Sequence, residues 1–234
     1  MADADDDATV LGNDLKGHRG RLRKRLFEGG SDALLDHELS EYLLAIAIPR
    51  GDTKALAKAL MREFGGIGGV LTADAEALGR VKGMGDISTA AIKIAHAAAI
   101  RLLQSQVSDR PVLANWQALL DYLRADMAHH AIERFRVLHL NTRNMLIRDE
   151  VMSKGSIDQA AVYVREVIRR AIDLGSASII LVHNHPSGDP SPSRADIEIT
   201  RTIAEAGKRL GITVHDHIVM GTGGHVSLRA QGLI

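Results

Sequence analysis

The chain has 234 residues, 29 basic and 29 acidic side chains, and no cysteine. Its length suits one large domain or two small ones, and its balanced charge names no partner by bulk electrostatics. The lack of cysteine excludes a disulfide framework, thiolate zinc clusters and a cysteine nucleophile together, so any metal has to rest on His, Asp or Glu.

The first segment, MADADDDATVLGND, is acidic and leads into no apolar core. No apolar run approaches the roughly 20 residues of a membrane helix. The expectation is a disordered acidic tail over 1–15 on a soluble, cytoplasmic chain without a membrane partner. The following ten residues, KGHRGRLRKR, carry Lys16, Arg19, Arg21, Arg23, Lys24 and Arg25 with no acid among them. Such a run either neutralises phosphates or forms a solvated helix face. Apolar residues then recur at helical spacing over 40–48, 53–64, 72–81 and 88–103, predicting a small helical bundle over 16–106. GGIGGV at 65–70 follows a helix rather than a strand and lacks the later acidic partner of a dinucleotide loop, so it is expected to be a turn. VKGMGDISTAAIKIAHAA places Gly83 and Gly85 between two helices, like the hairpin of a helix-hairpin-helix motif. Glycines there let backbone N–H groups approach a DNA phosphate, and they equally serve a tight turn between packed helices. Asp86, Ser88 and Thr89 stand where basic residues would strengthen phosphate contact.

QSQVSDRP at 104–111 is polar and ends in proline, which predicts a linker over 107–112. Beyond it the period changes. A helix is expected over 115–131, a hairpin with arms 135–140 and 145–147 around the turn NTRN, and a helix over 158–174. SIILV at 178–182 is the nearly continuous β-branched run of a strand covered on both faces. A helix over about 193–210 and strands over 212–220 and 225–228 complete an α/β sandwich spanning 113–234.

Between the covered strand and the next helix lies HNHPSGDPSPSRAD. His183 and His185, two apart at a strand end, point to the same side and can converge on one ion, while Asn184 faces away. Ser193 with Asp196 three residues later reads as a helix-capping pair. Capping alone explains neither two histidines closing a buried strand nor the three prolines, Pro186, Pro190 and Pro192, that stiffen the connection. Two imidazoles and one carboxylate make a sensible zinc set. Three protein ligands leave a fourth position for water, whose pKa the metal lowers to about 7. His215-Asp216-His217 repeats the H-x-H spacing inside a strand without a third ligand nearby, which suits packing or support of the ligands. His129, His130 and His139 are expected on the surface or on strand faces.

His183, His185, Ser193 and Asp196 fit H-x-H-x7-S-x2-D, and the chain resembles the JAMM (MPN+) metalloproteases, with HNHPSGDPSPSRADIEIT similar to the RadC branch. RFRVLHLNTRN and VIRRAIDLGSASIILVHNHPSGD resemble the same C-terminal domain; GHRGRLRKRLFEGGSDALLDHELSEYLL and the VKGMG hairpin resemble the RadC N-terminal region. The resemblance implies an MPN sandwich akin to cytidine deaminases. It implies zinc on His183, His185 and Asp196, Glu133 as general acid/base, and Ser193 as hydrogen-bond donor to the oxyanion. A protein or peptide substrate follows, and with it a zinc-dependent peptidase or isopeptidase. Two alternatives stand beside this. One is a DNA-associated repair factor, binding through the basic run and the Gly83/Gly85 hairpin, with zinc in a structural role. The other is a zinc nuclease.

Overall fold

The computed structural model describes residues 17–155 and 163–234. The expected acidic tail over 1–15, Lys16 and the first part of the expected helix over 158–174 lie outside the described residues. Two compact units divide at Ala98/Ala99. None of the helices among the described residues is long and apolar enough to cross a membrane.

The first unit is helical: α1 over 17–29, α2 (Asp36–Ala47), α3 (Lys54–Phe64), α4 (Ile67–Thr72), α5 (Ala75–Gly79) and the start of α6 (Asp86–Ser108). Leu44, Ala57, Leu60, Val70, Leu78 and Ile92, drawn from five of these helices, form its core. The glycine-rich stretch expected as a turn divides in two. Gly65 and Gly66 make the turn with positive φ, and residues from Ile67 onward form α4. Helix wins despite its glycines because Val70 is buried there. At Gly69 a Cβ would stand 1.8 Å from the Phe64 carbonyl oxygen, so only glycine lets α4 pack this close to the end of α3.

The expected linker over 107–112 is instead part of the second unit. Helix α6 runs on to Ser108, and Val107 and Val112 are both buried in the second core. In this last stretch of α6, Ser105, Gln106 and Ser108 are exposed and Gln104 half-buried while Val107 points inward, a pattern that composition alone does not separate from a linker.

In the second unit, α7 (Trp116–Met127) precedes a hairpin of β1 (Glu133–Leu140) and β2 (Leu146–Gly155). Then follow α8 (Val164–Asp173), β3 (Ser178–Asn184), α9 (Arg194–Arg209), β4 (Thr213–Gly221) and β5 (Gly224–Ser227). The sheet order is β2-β1-β3-β4-β5, with β3 and β4 parallel and the other pairs antiparallel. Parallel neighbours need a crossover, and α9 supplies it. One sheet face packs Leu138, Leu140, Ile180 and Val182 against Leu119, Leu123 and Met127 of α7. The other packs Phe135, Val137, Ile179 and Leu181 against Val167 and Ile168 of α8 and Ile203 of α9. Covered on both faces, β3 is buried at every position, as its unbroken apolar run predicts.

Strand β2 is much longer than the expected 145–147. It lies at the sheet edge, where side chains are half-exposed and Arg148, Asp149 and Glu150 interrupt any apolar alternation. Glu150 sits inside β2 opposite Val137, and its carboxylate accepts two bonds from Arg170 of α8 (2.9 and 3.0 Å).

His139, one of the histidines expected on the surface or on strand faces, lies on β1, wholly buried and paired through Nδ1 with the Ser176 hydroxyl (3.0 Å). Burial pushes its pKa down to about 4. An unfolded histidine titrates near 6.5, so the unfolded chain gains the proton first. Stability should be fully present above about pH 6.5 and fall as pH drops toward 4, by about 2 to 3 kcal/mol at pH 4.5. Urea unfolding at pH 7 and pH 4.5 checks this: His139→Asn should lose less stability on acidification than wild type, and equal losses would refute the assignment.

Candidate metal centre

The site grows from the C-terminal end of β3 and the first turn of α9, where a parallel strand and its crossover helix leave a crevice. His183 lies opposite Phe135 of β1, the last pair of that ladder; Glu133 precedes Phe135 by two residues in β1, and His185 follows His183 by two, just past the end of β3. Directly opposed residues share a sheet face, so Glu133, Phe135, His183 and His185 all look the same way. Past β3 the loop carries His185 back toward the sheet. Its backbone N–H donates to the Met220 carbonyl of β4 (2.8 Å), and Gly223 N–H donates to the Gly188 carbonyl (3.0 Å). A Cβ at Gly221 would stand 2.3 Å from that same carbonyl oxygen, so the β4–β5 turn is glycine where the loop seats on it.

Asp196 arrives from the other side. Ser193 caps α9 as the S-x-x-D spacing predicts: its hydroxyl accepts from Asp196 N–H (3.2 Å), and its own N–H donates to Asp196 Oδ2 (2.7 Å). This reciprocal pair fixes the carboxylate in the first turn of α9, where the helix dipole favours negative charge. Asp196 Oδ1 lies 3.4 Å from His183 Nε2, and Oδ2 lies 3.7 Å from His185 Nε2. Burial opposes ionisation of Asp196, but hydrogen bonds with His183 and His185 outweigh it and hold the carboxyl far below the usual carboxylate range. The hydrogen bond with Asp196 holds His185 above its ordinary value.

His183, His185 and Asp196 each present a donor atom within 4.8 Å of the others, and they are the single such group of three or more His, Asp or Glu found among the described residues. The orientation of the rings tells more. His185 Nδ1 faces the Asp189 carbonyl at 2.8 Å, which can only accept, so Nδ1 carries the proton. His183 Nδ1 faces His217 Nε2 at 2.7 Å, and His217 Nδ1 faces the Thr200 hydroxyl at 2.5 Å. The two Nε2 atoms, on the sides of the rings away from these partners, stand 2.9 Å apart. Two ring nitrogens approach so closely only around a shared proton or cation. The donor set, two imidazoles and a carboxylate with their outer atoms bonded, fits zinc.

Glu133 is half-buried at the start of β1 and lies outside this group of three, near enough for its charge to raise the pKa of His185. Asn184, which the alternation turns away from the histidines, holds that strand start in place. Its Oδ1 accepts from Arg134 N–H (2.9 Å), and its Nδ2 donates to the carbonyls of His130 (3.2 Å) and Ile132 (3.3 Å). The backbone on both sides of Glu133 is thus tied to the residue between the two histidines. The second H-x-H is split by a shift in the β3–β4 register between Ile179 and Ile180. His217 turns to the site, while His215 Nε2 pairs with Asn144 Oδ1 of the β1–β2 turn (2.9 Å).

The residues read as phosphate contacts are in the first unit. The Arg19 guanidinium donates to the carbonyls of Ile48, Pro49 and Gly51 at the end of α2, and Arg25 pairs with Glu38 (2.8 Å) and bonds the Ala33 carbonyl. These two are occupied within their own unit; Arg21, Arg23 and Lys24 are exposed. In the hairpin before α6, Gly83 has φ 97°, and the Gly85 N–H donates to Ser88 Oγ (2.9 Å), so one of its amides is already bonded.

Residues 113–233 match the family model for a RadC-like JAB domain, the class of domain to which this sheet and site belong. A UPF0758 protein of Rhodobacter capsulatus is 49% identical over 91% of this chain and 100% of its own length. A UPF0758 protein of Ruegeria pomeroyi is 46% identical over 94% of this chain and 98% of its own. The chain belongs to the RadC (UPF0758) family. JAB domains are part of the JAMM hydrolase superfamily and typically bind zinc.

Proposed function

We propose that the second unit is a zinc-dependent peptidase or isopeptidase. The observation that carries this reading is the pair of inward-facing Nε2 atoms, 2.9 Å apart, with Asp196 beside them and both outer ring nitrogens bonded. His183, His185 and Asp196 would hold the metal. When bound, zinc supplies Lewis acidity and brings the pKa of a water close to neutrality.

The remaining work falls to this chain's own side chains. Glu133, on the face shared by both histidines and outside the ligand group, takes the proton from the attacking water and returns it to the leaving amine. Ser193 is exposed at the rim, and its oxygen already accepts from Asp196 N–H, so its hydroxyl proton is the part it offers to the substrate's developing oxyanion. The single group of three ligands among the described residues favours peptide hydrolysis over a nuclease that uses paired ions.

A peptide-library cleavage assay on the full chain tests the reading. Cleavage that a chelator abolishes and added zinc restores is the expected result. A zinc-loaded chain that cuts no peptide or isopeptide bond would overturn it.

A further inference from the structure

The hydrogen bonds behind His183 run in one direction, and that direction begins at a threonine. Thr200, one turn beyond Asp196 on α9 and wholly buried, donates its single hydroxyl proton back to the Asp196 carbonyl (2.5 Å). Its oxygen can then only accept from His217, so the His217 proton sits on Nδ1 (2.5 Å). A neutral His217 protonated at Nδ1 offers a lone pair at Nε2, which accepts from His183 Nδ1–H (2.7 Å). His183 is thereby left with its lone pair on Nε2, facing His185 and Asp196. Reversing any link reverses the rest. If Thr200 donated to His217, that ring would carry its proton on Nε2 and donate to His183 Nδ1, and His183 would present an N–H, useless as a ligand, to the site.

We infer that Thr200 and His217 are positioning residues that set the tautomer of His183 and so keep its Nε2 ready to bind a metal. The chain closes on itself, because Thr200 anchors to the backbone of Asp196, and two ligand residues are joined through buried bonds. The rings have little freedom to turn: His217 meets the Phe135 ring edge-on at 5.7 Å between centroids, and both histidines are buried. Hydrogen-bond partners of this kind around metal ligands typically change affinity by about 10-fold to 100-fold when removed.

This inference rests on the metal reading above, and its test separates the two. Thr200→Val keeps the shape but removes the acceptor for His217 Nδ1–H, making the reversed tautomer the better-bonded one. Zinc affinity of the full chain, measured by chelator competition, should fall roughly 10-fold to 100-fold, and Thr200→Ser should restore it. Nitrogen-15 NMR of the metal-free wild type should find His183 protonated at Nδ1 and bare at Nε2, a signature that packing alone does not set and that needs no variant to fold. Wild-type zinc binding left unchanged in a folded Thr200→Val variant overturns the inference and leaves the metal site standing. So does a proton fixed on His183 Nε2 in the metal-free wild type. A wild-type chain that takes up no zinc overturns the metal reading, and this inference with it.

Discussion

Glu133→Gln should leave zinc binding and the fold intact while lowering kcat about 100-fold to 10,000-fold, a barrier increase of about 3 to 5 kcal/mol. The amide is nearly isosteric with the carboxylate and cannot take a proton from water. Nothing in the frame around residue 133 depends on its side chain. The start of β1 is held by Asn184 through the backbone of His130, Ile132 and Arg134. The other upstream glutamates of the second unit are committed elsewhere. Glu150 is bonded by Arg170, which lowers its pKa, and Glu166 is bonded and lowered in the same way by Arg169. Steady-state kinetics on whichever peptide the library yields, with zinc content measured on the same samples, checks the outcome. Full activity in Glu133→Gln would move the base elsewhere and leave the metal ligands untouched.

That glutamate shows how far the sequence could be read. Its place at the start of β1 follows from the long helix and the FRVLHL run, but its nearness to the histidines depends on the β1–β3 register, which no local pattern encodes. His183, His185, Ser193 and Asp196 were legible because strand periodicity and helix capping are local rules, and all four lie within fourteen residues of one another. His217 and Thr200 reach the site from β4 and α9; the contact of His217 with His183 spans 34 residues and that with Thr200 spans 17. The spacing of His215 and His217 even misleads, since a register shift sends the two rings to different partners. Strand β2 stayed hidden for a related reason. An edge strand with half-exposed side chains needs no apolar alternation, and its bonds to β1 are set by the partner. The linker was misplaced because one inward valine is too little to mark a helix among polar neighbours.

Metal analysis should find roughly one zinc per wild-type chain and essentially none bound tightly to His183→Ala, His185→Ala. Removing both imidazoles leaves a single carboxylate, and Asp196, with Oδ2 already accepting from Ser193 N–H, is too small a donor set to hold the ion alone. The two substitutions differ in what else they disturb. His185 is half-exposed at the head of the loop and gives up one bond to the Asp189 carbonyl. His183 is buried, and its loss strips His217 Nε2 of its donor, at a cost of about 1 to 3 kcal/mol for an unpaired buried polar atom. A thermal melt of the metal-free proteins therefore has to accompany the metal analysis. A double variant that melts only a few degrees lower yet has lost its zinc assigns the loss to ligation; one that keeps full zinc occupancy would show that the ion is bound somewhere other than at the end of β3.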